Sequence, residues 1–213
     1  MDQLQLAKQL ISRAATIAWD FDGVVADTEP VQAASFDAVL RRHGVSVSSD
    51  FFQEFLGKSE YEIWLILRAR YEISVAPEEL IAERSSLYLD RAANIGHAHY
   101  VSPLLATAAA SGAVSIIVSS GSAVHIQHLL DAYGLAESFT SLYCLGSPQN
   151  LDLPDKSSRL RYVAKHSPFP QVIIEDNPEY LALAKTLGMA TIAVWHGMTR
   201  LNSCEDYDAY LQH

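Results

Sequence analysis

Near the N-terminus the apolar run Thr16-Ile17-Ala18-Trp19 stops abruptly at Asp20-Phe21-Asp22-Gly23. A second acidic pair, Glu175-Asp176, follows the apolar run Gln171-Val172-Ile173-Ile174, and Ser115-Ile116-Ile117-Val118 ends on Ser119-Ser120. Carboxylates act as nucleophiles, as general acids and as ligands for hard cations, and hydroxyls hold anionic oxygens. Taken singly, each group is ordinary local structure. Asp-x-Asp serves as a turn or cap, Glu175-Asp176-Asn177-Pro178 reads as a helix N-terminus with proline in its first turn, Ser119-Ser120-Gly121 is another cap, and a lone Lys156 is a solvated lysine. What the acidic and hydroxyl groups share is position, because each closes a predicted buried strand. In an open parallel sheet, ligands bind outside the carboxyl ends of the strands. If these strands are neighbours, Asp20, Asp22, Glu175 and Asp176 converge with Ser119 and Ser120. So many carboxylates repel one another unless a cation relieves them, and oxygen-only donors select magnesium over zinc.

Two further apolar runs, 190–194 and the weaker 141–144, alternate with helical patterns over 123–133, 157–166 and 178–187. Such alternation predicts an α/β fold with a parallel sheet and helices on both faces. Residues 32–97 break it with helical periodicity alone, bounded by Pro30 at entry and by Gly96 and Pro103 at exit. They predict a helical insert between the first and second strands, leaving 1–31 and 98–213 as the core. The last stretch, Ser203-Cys204-Glu205-Asp206-Tyr207-Asp208-Ala209-Tyr210-Leu211-Gln212-His213, reads as a short helix, and the first residues as an amphipathic one.

The chain has 213 residues, 49% hydrophobic and 19% charged, with a net charge of -10 and a pI near 5.1. That composition buries a real core and excludes disorder. Its acidity argues against nucleic acid and anionic membranes as partners. Two cysteines without paired spacing give neither a zinc site nor a disulfide framework. No signal-type segment or spanning run is found, so a cytoplasmic protein is the default; the sequence does not fix the oligomeric state, for which a monomer is favoured.

The run Asp20-Phe21-Asp22-Gly23-Val24-Val25-Ala26-Asp27-Thr28-Glu29-Pro30 resembles the first signature of the haloacid dehalogenase superfamily. It is closest to the branch that includes β-phosphoglucomutase and many small-molecule phosphatases. Ile116 to Ser120 resembles the second signature, Lys156 stands where the third signature's lysine belongs, and Ile173-Ile174-Glu175-Asp176 resembles the fourth. Ala184, Gly188 and Met189 also resemble that branch, so the likeness covers nearly the whole chain. It implies a Rossmann-like doubly wound core with a small all-helical cap inserted after the first strand. It also implies roles. Asp20 is the nucleophile and Asp22 the general acid and base. Asp20, Asp176 and the main-chain carbonyl of Asp22 hold magnesium, with Glu175 helping through a water. Ser119 and Ser120 bind the phosphoryl group, and Lys156 neutralises it. Dehalogenases of the superfamily lack the second aspartate, so Asp22 favours phosphate chemistry. Glu29, Gln32, Gly57 and Lys58 are the expected substrate contacts, and Asp27 is expected to cap a turn or helix.

The chain departs from the branch at Asn177 (usually Ser), Tyr180 (usually Gly), Val31-Gln32 (often Leu-His) and Glu60, where the mutase carries an arginine for a second phosphate. The last two argue against a mutase. The resulting expectation is a magnesium-dependent phosphatase that hydrolyses a small phosphorylated metabolite through an aspartyl-phosphate. The alternatives are a sugar-phosphate mutase, a phosphonate hydrolase using Lys58 as its Schiff-base lysine, and a catalytically silent binding protein. Retention of Asp20, Asp22 and Lys156 speaks against the last.

Overall fold

The computed structural model describes residues 2–55, 60–148, 153–195 and 207–213, with the backbone alone for Glu29, Ser49, Asp50 and Gln53. They fall into two compact units, residues 1–27 with 96–213, and residues 28–95.

The first unit is a six-stranded parallel sheet in the order β3-β2-β1-β4-β5-β6. Its strands are β1 (Thr16–Trp19), β2 (Val114–Ser122), β3 (Ser141–Leu145), β4 (Gln171–Glu175), β5 (Ala190–Trp195) and β6 (Ala209–Gln212). All four residues of β1 are buried, as expected of a central strand covered on both faces. Side chains alternate across the sheet. Ala18, Ile116, Val118 and Ile173 join a core with Leu160 and Val163 of α7 (Lys156–His166) and with Leu181 and Ala184 of α8 (Pro178–Thr186). Ile17, Trp19 and Ile117 point the other way and are fully buried. Three more helices belong to this unit, α1 (Gln3–Ile11), α5 (Val101–Ser111) and α6 (Ala123–Ala132). The chain runs outward from β1 through β2 to β3, then returns to β1's other side with β4. This reversal is the switch point at which doubly wound sheets open a crevice.

One local expectation is corrected. The C-terminal residues form β6, not a helix. Burial alternates along Ala209, Tyr210, Leu211 and Gln212 with the period of a strand, and the segment pairs in parallel with β5. Pro103, placed near the exit of the insert, sits in the first turn of α5, where the missing N–H has no helical partner to lose.

The second unit contains α2 (Glu29–Arg42), a 3-10 helix over Ser49–Phe55, α3 (Glu60–Tyr71) and α4 (Pro77–Ala92). Phe36, Val39 and Leu40 recur at helical spacing on α2, as do Ile63, Trp64 and Leu67 on α3, and they share one core with Leu80. Thr28, not Asp27, holds the N-cap position of α2.

Candidate active site

Strand register assembles the site. Trp19 is level with Ile174 of β4 and with Ile117 of β2. The next residue, Asp20, donates its N–H to the Ile174 carbonyl at 2.9 Å. Asp20 and Glu175 therefore leave the sheet on adjacent strands, about 4.8 Å apart by strand spacing. One carboxylate oxygen each from Asp20, Glu175 and Asp176 lies within 4.8 Å of the others.

Lys156 opens α7. Asp155 caps that helix by accepting from the Ser158 N–H at 2.7 Å and the Ser158 hydroxyl at 2.8 Å, and these bonds hold its carboxyl below the usual range. The Lys156 ammonium lies 2.8 Å from Asp20 Oδ1 and 2.7 Å from Glu175 Oε2, with only 4% of the residue exposed. Burial alone would lower the lysine's pKa, but the charges of Asp20 and Glu175 outweigh it and keep the ammonium protonated. Burial pushes the Asp20 carboxyl up; Lys156 pulls it back and Asp176 pushes it further. Burial raises Glu175 well above the carboxylate range, and Asp20 adds to that. One ammonium among three carboxylates leaves a negative excess. A hard divalent cation fits this all-oxygen donor set and would offset the charge. The other oxygen of Glu175 accepts from the Asn177 N–H at 3.1 Å, and Asn177 caps α8 by accepting from the Glu179 N–H at 2.9 Å.

The turn after Asp20 depends on Gly23, whose φ of 76° lies in the left-handed region. It lets the Phe21 carbonyl accept from the N–H groups of Val24, Val25 and Ala26. The hydroxyl of fully buried Tyr100 donates to the Val24 carbonyl at 2.6 Å and props the loop. Burial, then the charges of Asp176 and Asp27, keep that phenol protonated.

Asp22 meets the second strand end at Gly121. A Cβ there would lie 3.2 Å from both Asp22 Oδ2 and Ile126 Cδ1, so each would have to give way slightly, and 3.4 Å from Ser119 Oγ. The Ser119 hydroxyl accepts from the Gly121 N–H at 3.0 Å, which leaves its own proton to donate. The Ser119 carbonyl accepts from Arg159 Nη1 at 2.9 Å. Arg159 is 2% exposed, one helical turn past Lys156, and its bond to the main chain holds the end of β2 that carries Ser119. Ser120 is exposed at the end of β2. On the neighbouring strand β3, burial pushes the Cys144 thiol up to about 12.

The structure thus brings together Asp20, Glu175, Asp176 and Lys156, and brings Asp22 and Ser119 each to Gly121. Glu29 and Gln32 lie on α2 in the helical unit. The Gln32 side-chain oxygen accepts from Arg84 Nη1 at 2.8 Å, and Gly57 and Lys58 fall outside the described residues. Two participants have no part in the expected set. Arg159 carries a signal in hindsight, since it lies three residues after Lys156 on one helix face. Tyr180, noted in the sequence as a departure, places its ring centroid 4.6 Å from Lys156 Nζ.

A doubly wound parallel sheet whose switch point gathers acidic side chains defines an α/β protein with its site at the strand ends. The chain belongs to the haloacid dehalogenase-like hydrolase family, whose model matches residues 17–194. Its fold is similar to that of CbbY from Rhodobacter sphaeroides in complex with phosphate, with a TM-score of 0.74 at 19% identity over 93% of each chain. A CbbY variant in complex with xylulose-(1,5)-bisphosphate gives 0.74 at 18% identity, again over 93% of each chain. A predicted phosphoglycolate phosphatase from Haemophilus somnus 129PT gives 0.70 at 18% identity over 93% of each. No curated protein matches the chain. Among the described residues no helix is long and apolar enough to cross a membrane.

Proposed function

We propose that this protein is a magnesium-dependent phosphatase that hydrolyses a small phosphorylated metabolite through an aspartyl-phosphate on Asp20, with residues 32–97 as its cap domain. The observation that carries this reading is the buried Lys156 ammonium held between Asp20 and Glu175 beside Asp176. A carboxylate approaches a phosphate dianion only where positive charge compensates it, and the lysine supplies part of that charge.

In the first half-reaction an Asp20 carboxylate oxygen forms a bond to phosphorus while the bond to the ester oxygen breaks. Asp22 gives its proton to that leaving oxygen. In the second half Asp22 takes a proton from water. The water oxygen bonds to phosphorus, and the Asp20–phosphorus bond breaks to release phosphate. Ser119 donates its hydroxyl proton to a phosphoryl oxygen, and Lys156 faces the charge that develops beside Asp20. A magnesium ion held by Asp20, Asp176 and the Asp22 main-chain carbonyl, with Glu175 nearby, would add neutralising charge.

Glu60 favours hydrolysis over a mutase reaction. It is committed to an ion pair with Arg84, so position 60 offers no cation to a second phosphate. The test is a panel of phosphate esters assayed for free phosphate with and without Mg2+, beside Asp20→Asn. Release should depend on the metal and fall by at least about 10³-fold in the variant. Turnover by the variant at the unmodified rate, or a requirement for a bisphosphate primer with little phosphate released, overturns the reading.

A further inference from the structure

The surroundings of Lys156 are not only ionic. An ammonium has three N–H donors. Asp20 Oδ1 and Glu175 Oε2 face it at 2.8 and 2.7 Å, and the ring of Tyr180 faces it with its centroid 4.6 Å from Nζ. Tyr180 is the third residue of α8, immediately beyond the acidic pair. Helical side chains lean toward the N-terminus, which carries this ring back over the end of β4. The ring is half-buried, whereas the lysine beneath it is nearly inaccessible.

An aromatic face attracts a cation through its quadrupole and displaces water from it. The consequence bears on the reaction cycle. While Asp20 is a free carboxylate, two anions anchor the ammonium. Once Asp20 becomes an acyl phosphate its carboxyl group carries no formal charge, and the negative charge on that side of the ammonium moves out to the phosphoryl oxygens. Glu175 and the Tyr180 ring are unchanged by that step.

We propose that Tyr180 is a positioning residue for Lys156. The face of its ring holds the ammonium at Asp20 throughout the cycle, so that it supports turnover rather than substrate capture. The kinetic half of this proposal rests on the phosphatase reading; the contact itself does not.

Two variants separate an aromatic role from space filling. Tyr180→Phe keeps the ring, and Tyr180→Leu keeps apolar bulk without it. In lysine-labelled protein, the Lys156 ε-methylene NMR signal, assigned with Lys156→Arg, should lie upfield of the other lysines through the ring current. Tyr180→Phe should keep that shift and Tyr180→Leu should lose it. With p-nitrophenyl phosphate and Mg2+, Tyr180→Phe should stay within about twofold of the unmodified kcat. Tyr180→Leu should lose about tenfold in kcat, equivalent to about 1.4 kcal/mol, at unchanged KM. Tenfold is within the range of a desolvated cation–π contact. An unmodified kcat in Tyr180→Leu, a loss confined to KM, or a Lys156 signal indifferent to the ring overturns the proposal. If the unmodified protein releases no phosphate from any ester, the phosphatase reading falls, and the NMR comparison still decides whether the ring holds the ammonium.

Discussion

In the helical unit, Arg84 is 4% exposed and meets Glu60 through Nε to Oε1 and through Nη2 to Oε2 at 2.7 Å. Its Nη1 reaches Gln32 at 2.8 Å and Ser35 Oγ at 3.2 Å, the Phe36 ring covers the guanidinium at 4.5 Å, and Trp64 donates to Glu60 at 3.3 Å. One positive charge faces one negative charge in a forked geometry, with neutral partners filling the remaining donors. In the sheet unit, Lys156 is as deeply buried but faces Asp20 and Glu175 with Asp176 close by, and burial raises both the Asp20 and the Glu175 carboxyls, Glu175 well above its ordinary value. The first centre is balanced and fastens three helices to one another. The second is left negative by the chain's own residues, and that imbalance is a capacity to bind. A buried charged cluster is therefore better judged by its bookkeeping of sign than by the number of its ion pairs.

Removing a charge from each centre should move stability in opposite directions, which is the sharpest way to break the comparison. Arg84→Met leaves Glu60 without its partner and should lower unfolding free energy by about 3 kcal/mol in urea titrations, with Glu60→Gln in the same chain recovering part of the loss. Should the single variant match the unmodified protein, the pair is not structural. Magnesium at about ten times its dissociation constant should stabilise by about 1.4 kcal/mol, read as a rise in melting temperature. The sign of its pH dependence follows from the raised carboxyls. Their contribution in the metal-free protein is present below the unfolded carboxylate range, near pH 4, and is lost as pH rises through their folded values. The magnesium increment should accordingly grow from pH 5 to pH 7.5; an increment that shrinks over that interval places the cation elsewhere. The smallest effect is expected from Asp20→Asn, which removes one excess charge and should raise the metal-free melting temperature by the equivalent of about 1 kcal/mol or less. A clear fall would mean that the lysine needs both anions to stay buried.

The site's frame was legible because it is local and repeats. Strand β1 falls on Thr16–Trp19 as expected and ends with its apolar run, whereas β4 runs one residue past its apolar run to Glu175 and β2 runs on to Ser122. Asp20 and Glu175 each follow the last apolar residue of their run, and parallel register does the rest. What could not be read are the pairings that join distant residues. Nothing near Lys156 in the chain states that it is buried, because its burial is supplied by β1, β4 and α8. Arg84 and Glu60 are 24 residues apart, and only the packing of α3 on α4 brings them together. Strand β6 escaped notice because four residues are too few to separate a period of two from a helical turn, and the charged run before it resembles a helix start. Gly57 and Lys58 lie outside the described residues.

Strand β6 has an outer edge, and its Tyr210 N–H is not left open there. It donates to the side-chain oxygen of Gln3 at 3.2 Å, so a residue from the beginning of the chain stoppers the end of the sheet. An uncovered N–H row on a parallel edge templates pairing with foreign strands. Replacing Gln3 by Ala would therefore open the Tyr210 N–H, and deleting β6 would bare the edge of β5 to such pairing.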